Sequence, residues 1–316
     1  VTGLENRATT TFRQVAPVNT YALLSCAMGP CLFGTAFLAI QSLPDAPLWN
    51  AVLRILPAGL VLIALRPARP EGIWWARATL LGMLNFGGFF GLQAVAAHRI
   101  PGAVVSTISA AQCIVVPLVV MMTGQRLTPR QFWAPLLGLF GVGLVVLRGT
   151  ARLDLIGVGA AAALALLSGV GMVLTRRWGV PPSTPPLSAI AWQMLAGGLV
   201  LLPLATLLEG EPPSLSWYQL VATGWLALAA TAAAFALFFG GLLRGVEATA
   251  GSRLMLLGPV VAVILGWTFA GQSLTIVQLA GISLVLAAQF GGFEHDAGEH
   301  AWPRMAWTFM AQWARR

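Results

Sequence analysis

Three groups of amide, hydroxyl and aromatic side chains recur at helical spacing inside apolar stretches of this chain. Asn85, Phe89 and Gln93 fall at i, i+4 and i+8, so a helix places them on one face beside Phe86 and Phe90. Ser106, Ser109 and Gln112 share one arc of the next stretch, and Thr231, Phe235 and Phe239 share a face of a later one. Trp192 and Gln193 set a flat ring next to an amide. Amides and ring faces hold a small solute by hydrogen bonds and contact area, without breaking its bonds. Each group also has a plainer reading. Asn85, Gln93 and Gln112 can bond neighbouring helices, the phenylalanines can be core, and Trp192 can be an interfacial anchor.

Two arginines interrupt the apolar stretches. Arginine at the centre of a membrane helix costs about 2.5 to 3.5 kcal/mol on insertion scales. Arg54 lies roughly 9 Å along its helix, at about 1.5 Å per residue, and either snorkels outward or serves as a carboxylate anchor or gate. Arg253, beside Ser252, is only about one turn from a helix end, where snorkelling is the simpler reading.

What is missing narrows the chemistry further. No aspartate or glutamate lies in the middle of an apolar stretch, the nearest being Glu247, so a proton relay or an intramembrane carboxylate for cationic solutes is disfavoured. The alternative reading, an intramembrane enzyme or lipid-processing protein, requires an acid–histidine cluster or a nucleophile–base pair that the stretches lack. A receptor or scaffold is a third reading. Cys26, Cys31 and Cys113 show no metal-ligand spacing, and neither a metal nor a cofactor is expected. His98, next to Arg99, reads as an interfacial histidine facing water.

The elements that position these residues are apolar helices. With 58% hydrophobic and 9% charged residues, a chain of 316 cannot clothe itself for water. Ten stretches are long enough to cross a hydrocarbon layer of about 30 Å. They run near Thr20–Ile40, Leu48–Leu65, Trp75–Ala97, Gly102–Thr123, Phe132–Leu147, Leu155–Thr175, Leu187–Leu207, Trp217–Leu243, Thr249–Ala270 and Thr275–Phe293. Connectors such as Pro67 to Pro70, Pro181 to Pro186 and Pro212 to Pro213 punctuate them. Span one follows a polar stretch and precedes nine others, so it does not read as a cleaved signal. Close packing is expected at Gly87 with Gly91 and at Gly241 with Gly245.

All 18 basic residues are arginine. With both termini cytoplasmic, only Arg99, Arg148 and Arg152 of the loop arginines face outward. The net charge of +8 is therefore topological, and the dispersed arginines do not read as a nucleic-acid patch.

Cut near Leu153, the chain repeats itself. Gly124-Gln125-Arg126-Leu127-Thr128-Pro129-Arg130-Gln131 and Gly271-Gln272-Ser273-Leu274-Thr275-Ile276-Val277-Gln278 agree at five of eight positions, and they follow spans four and nine. Pro47, Leu48, Leu56 and Gly59 match Pro186, Leu187, Leu195 and Gly198, which aligns Arg54 with Gln193. Gln112 aligns with Pro259. Because each half holds an odd number of spans, the second copy must be inverted. The loop charges invert with it, since Arg66, Arg69 and Arg77 give way to Glu209 and Glu211. Inverted repeats supply the geometry of alternating access.

On these halves, on Phe33-Gly34-Thr35-Ala36-Phe37 and on the two Gly-Gln-x-Leu-Thr loops, the chain resembles the drug/metabolite transporter superfamily, in its ten-helix EamA type, over roughly residues 19 to 293. The chain has Gln125 and Gln272 where the family usually has glutamate, and Gln112 where it usually has proline. The resemblance implies export of amino acids or related metabolites, the aromatic amino-acid exporters being one branch. It also implies a solute cavity between the third, fourth, eighth and ninth helices, helped by the first and sixth.

The expected protein is thus an all-α membrane exporter of small neutral or zwitterionic metabolites, working by uniport in a bacterial-type inner membrane. Its expected parts are an N-terminal segment (1–18), two inverted five-helix repeats (19–152 and 153–293) and a cytoplasmic tail (294–316). In the tail, Trp302, Met305, Phe309 and Trp313 form one stripe opposite Arg304, Gln312 and Arg315, the pattern of an interfacial helix on lipid. Glu294, His295 and Asp296 before it read as a solvated linker. Beyond the solute and lipid, a homodimer is compatible with the sequence.

Overall fold

The computed structural model describes residues 20–40, 42–97, 99–100, 102–124, 127–146, 154–181, 183–269 and 275–293. The expected interfacial helix of the tail, the N-terminal segment, His98, Arg126, Arg148 and Arg152 lie outside them. The first five helices are α1 (Thr20–Ile40), α2 (Pro47–Leu65), α3 (Trp74–Ala97), α4 (Gly102–Ala110 and Gln112–Met122) and α5 (Pro129–Val146). The second five are α6 (Leu155–Trp178), α7 (Pro186–Glu209), α8 (Trp217–Leu243), α9 (Ala248–Phe269) and α10 (Ile276–Phe293). No strand occurs among the described residues. Six helices, α2, α3 and α6 to α9, are long and apolar enough to cross a bilayer by length and composition; the described apolar parts of the others are shorter.

The helices pack as a twofold arrangement of unlike copies. Helix α2 lies along its counterpart α7, and α5 along α10, while α1 against α8 is repeated by α6 against α3. Counterparts run antiparallel. Leu48 meets Glu209 and Gly198 meets Leu56 along α2 and α7; Gly138 meets Ala288 and Gly141 meets Gly281 along α5 and α10. Antiparallel counterparts are what inversion requires, because a parallel repeat would leave α2 and α7 codirectional.

Polar ends secure these pairings. The Glu209 carboxylate accepts from Leu48 N at 2.8 Å and Trp49 N at 2.9 Å, occupying donors that the first turn of α2 cannot satisfy internally. At the opposite end, Ser188 Oγ donates to Arg66 O. The repeated loops end in matching capping boxes. Thr128 N donates to Gln131 Oε1 at 2.9 Å and Gln131 N to Thr128 Oγ1 at 3.3 Å; Thr275 and Gln278 do the same at 3.1 and 3.3 Å.

Close crossings depend on glycine. A Cβ on Gly197 would stand 2.6 Å from Gly82 O and 2.7 Å from Gly87 N, so α3 and α7 meet backbone to backbone. Gly241 packs as expected, against Ala22 and Cys26, but Gly245 does not: its φ of 119° belongs to the turn between α8 and α9, and a Cβ there would meet nothing within 4 Å.

Helical regularity fails in counterpart helices. A π-type turn widens α3 at Met83–Gly87 and α8 at Leu228–Ala233. Helix α4 is interrupted at Ala111, and α9 between Leu254 and Leu257. Such interruptions free backbone groups, which lipid cannot satisfy and which are tolerated where protein or a wet cavity meets them.

Candidate solute cavity

The four irregular helices converge on a cavity of about 300 Å³, whose wall is completed by α1, by α6 and by Arg54 of α2. Asn85, in the widened turn of α3, is 4% exposed and is held from behind, its Nδ2 donating to Thr175 Oγ1 at 3.1 Å and to Gln193 Oε1 at 3.4 Å. Gln112 opens the second piece of α4, and its Oε1 accepts from Ser168 Oγ at 2.8 Å. Both amides therefore bond neighbouring helices and also line the cavity. Gln93 and Ser109 join them on the wall, the Ser109 hydroxyl donating to Val105 O at 2.6 Å.

Aromatic rings make the rest of the surface continuous. Phe33 of α1 and Phe235 of α8 have centroids 4.6 Å apart, Phe235 stacks on Phe239 at 5.8 Å, and Phe89 meets Phe90 edge-on at 4.9 Å. Their mutual contacts make Phe235 and Phe239 core residues on one side and wall on the other.

Arg54 turns inward rather than snorkelling. It is 8% exposed; its Nε donates to Thr231 Oγ1, its Nη2 donates to Ala230 O at 2.8 Å, and its guanidinium carbon lies 4.7 Å from the Phe90 ring centre. Ala230 and Thr231 belong to the widened turn of α8, so the guanidinium supplies donors where the helix ladder is irregular. Its repeat counterpart Gln193 sits against Asn85 in the widened turn of α3, through a longer, uncharged bond.

Several expected residues sit elsewhere. Thr231 and Gln193 are buried behind the wall, reaching it only through Arg54 and Asn85. Trp192 is remote from the cavity, because its indole donates to Ala68 O at 2.8 Å and its ring meets Trp75 edge-on at 4.9 Å. Arg253 is fully buried rather than snorkelling. The Ser106 side chain lies outside the described residues.

The wall also holds Phe33, Ser168, Met172, Phe238 and Pro259, which spacing alone did not single out. Pro259 was within reach as the repeat counterpart of Gln112. Ser168 and Met172 lie in a long Ala-, Leu- and Gly-rich helix whose lack of contrast hides its cavity face. Among the described residues, no cluster of three histidine, cysteine or acidic side chains could hold a metal.

Comparison with known proteins places this geometry in context. Residues 155–291 match the EamA-like transporter family. The protein PecM of Dickeya dadantii is 36% identical, over 82% of this chain and 88% of its own length. The uncharacterised inner membrane transporter YedA of Escherichia coli K12 is 29% identical, over 79% of this chain and 82% of its own. A solved crystal structure superimposes with a TM-score of 0.73 at 21% identity, covering 85% of this chain and 95% of that one.

Proposed function

Given that the chain belongs to the drug/metabolite transporter superfamily, in its EamA-like family, and is a multi-pass membrane transporter of small molecules, we propose that it exports small amino acid-like metabolites by alternating access. The observation that carries this reading is the cavity where α1, α3, α4, α8 and α9 meet, lined by the amides of Asn85, Gln93 and Gln112 and by a phenylalanine wall. Its volume of about 300 Å³ suits a solute of amino-acid size. Neutral amides hydrogen-bond polar groups of either sense, and the rings accept an apolar side chain.

The antiparallel counterparts supply the motion. Exchanging the roles of the two halves, by rocking about the α2–α7 and α5–α10 contacts, opens the same cavity to the opposite face. The wall carries no aspartate or glutamate, so downhill uniport is the simplest energetics. Glu247, bonded to Thr249 and Gln131 at 3.4 and 3.5 Å, stands off the wall; transport whose pH dependence vanished in Glu247→Gln would contradict uniport. The bias of arginine among the loops supports a cytoplasmic location for both termini, and a bacterial-type inner membrane is the setting this reading takes.

The test is counterflow of a panel of radiolabelled amino acids in proteoliposomes. Saturable uptake is expected for at least one, with apparent affinity weakened roughly 2- to 10-fold in Asn85→Ala and Gln112→Ala, the worth of one neutral hydrogen bond. Affinity unchanged in both variants would remove these residues from the site.

A further inference from the structure

The wall of the cavity carries one positive charge and no negative one. Arg54 uses Nε on Thr231 and Nη2 on Ala230 O, but Nη1 makes no hydrogen bond among the described residues, and the side chain forms part of the wall. Within ion-pair distance, Arg54 has no carboxylate among the described residues. The Phe90 ring against the guanidinium holds its plane without neutralising it. A charge buried in an apolar bundle is costly, and a carboxylate is the partner that Arg geometry fits best, through two parallel N–H···O bonds. An ammonium group finds no carboxylate on the wall, where it would meet amide and hydroxyl oxygens and ring faces.

Resting on the transport reading above, we propose that Arg54 is the subsite for the solute's carboxylate, and that the amino group is dispensable. The substrate class is then apolar and aromatic monocarboxylates, with amino acids as members rather than as its definition. The carboxylate sits at Arg54 beside Phe90, and the apolar body lies along Phe33, Phe235 and Phe239.

The test is binding of tritiated 3-phenylpropanoate to the purified full-length protein in detergent, with unlabelled competitors. Phenylalanine should compete well, while 3-phenylpropanamide and phenethylamine should compete roughly 10- to 100-fold more weakly, the worth of a charge-assisted bond. Arg54→Gln should abolish the preference for carboxylate over amide and Arg54→Lys should keep part of it. Thr231→Val, which removes one bond that fixes Arg54 but keeps the charge, should retain the preference. The proposal is overturned if 3-phenylpropanoate fails to bind the wild-type protein. It is equally overturned if the amide or amine competes as well as phenylalanine, or if Thr231→Val erases the preference as fully as Arg54→Gln. Saturable counterflow of other solutes alongside any of these results would leave transport standing and remove only the subsite.

Discussion

Single side chains in this protein hold neighbouring helices and line the cavity at once, so position alone does not separate packing from binding. Asn85 bonds Thr175 and Gln193 from behind while facing the cavity, and Gln112 accepts from Ser168 while facing it too. Bonding a neighbouring helix and facing the cavity are therefore not exclusive for these amides, because an amide has separate donor and acceptor groups. A prediction follows at this scale. Ser168→Ala leaves the Gln112 carbonyl oxygen without its hydroxyl donor, and it should lower the thermal midpoint in detergent and weaken solute affinity together, each by the equivalent of about 1 kcal/mol. A change in one without the other would separate the packing role from the binding role. Arg54 was legible as an anomaly in its apolar helix; its inward orientation was not, because the irregular turn of α8 that draws it in depends on tertiary contact rather than on local sequence. Trp192 shows the reverse failure: its ring and the neighbouring amide point to a site, yet its indole serves a connector carbonyl of Ala68.

At the scale of helices, the repeat could be read because its most specific segments are the caps. Thr128-x-x-Gln131 and Thr275-x-x-Gln278 share the same residues and the same two capping bonds, so the same local signal starts α5 and α10. Thr128→Val and Thr275→Val should each destabilise the protein by about 0.5 to 2 kcal/mol, read as a lowered unfolding temperature in detergent. Equal effects are expected, since the two caps do equivalent work; no effect in either would mean that packing alone sets these ends. The widened turns in α3 and α8 carry no comparable signature, since Met83-Leu84-Asn85-Phe86-Gly87 and Leu228-Ala229-Ala230-Thr231-Ala232-Ala233 share little. Close crossings are partly legible: Gly241 and Gly87 pack as small residues should, whereas Gly245, equally small, turns the chain. Gly197→Val places branched carbons where Gly82 O and Gly87 N already stand, and it should lower the yield of folded protein or its unfolding temperature sharply. A variant as stable as wild type would show that α3 and α7 can separate at no cost.

The whole molecule is two five-helix units of opposite sense with the cavity between them, and its sidedness is as testable as its chemistry. Glu71 and Glu211 are both exposed, in connectors that follow the antiparallel helices α2 and α7. In cells, with Cys26, Cys31 and Cys113 replaced, Glu211→Cys should react with a membrane-impermeant thiol reagent from outside, and Glu71→Cys only after permeabilisation. Both reacting from one side would contradict the inverted arrangement. Composition and arginine placement made the ten spans legible, because lipid imposes one demand on every spanning segment. The cavity's full wall was less so: α6 contributes Ser168 and Met172 from a helix of small apolar residues that reads the same on every face. The most direct test of the central claim, that one cavity opens in turn to both faces, uses Ala262→Cys on the wall in the same cysteine-free background. Labelling is followed with a small impermeant methanethiosulfonate in right-side-out and in inside-out vesicles. The account predicts reaction from both faces, slowed on both by transported solute; reaction from one face only, whatever solute is present, would contradict it.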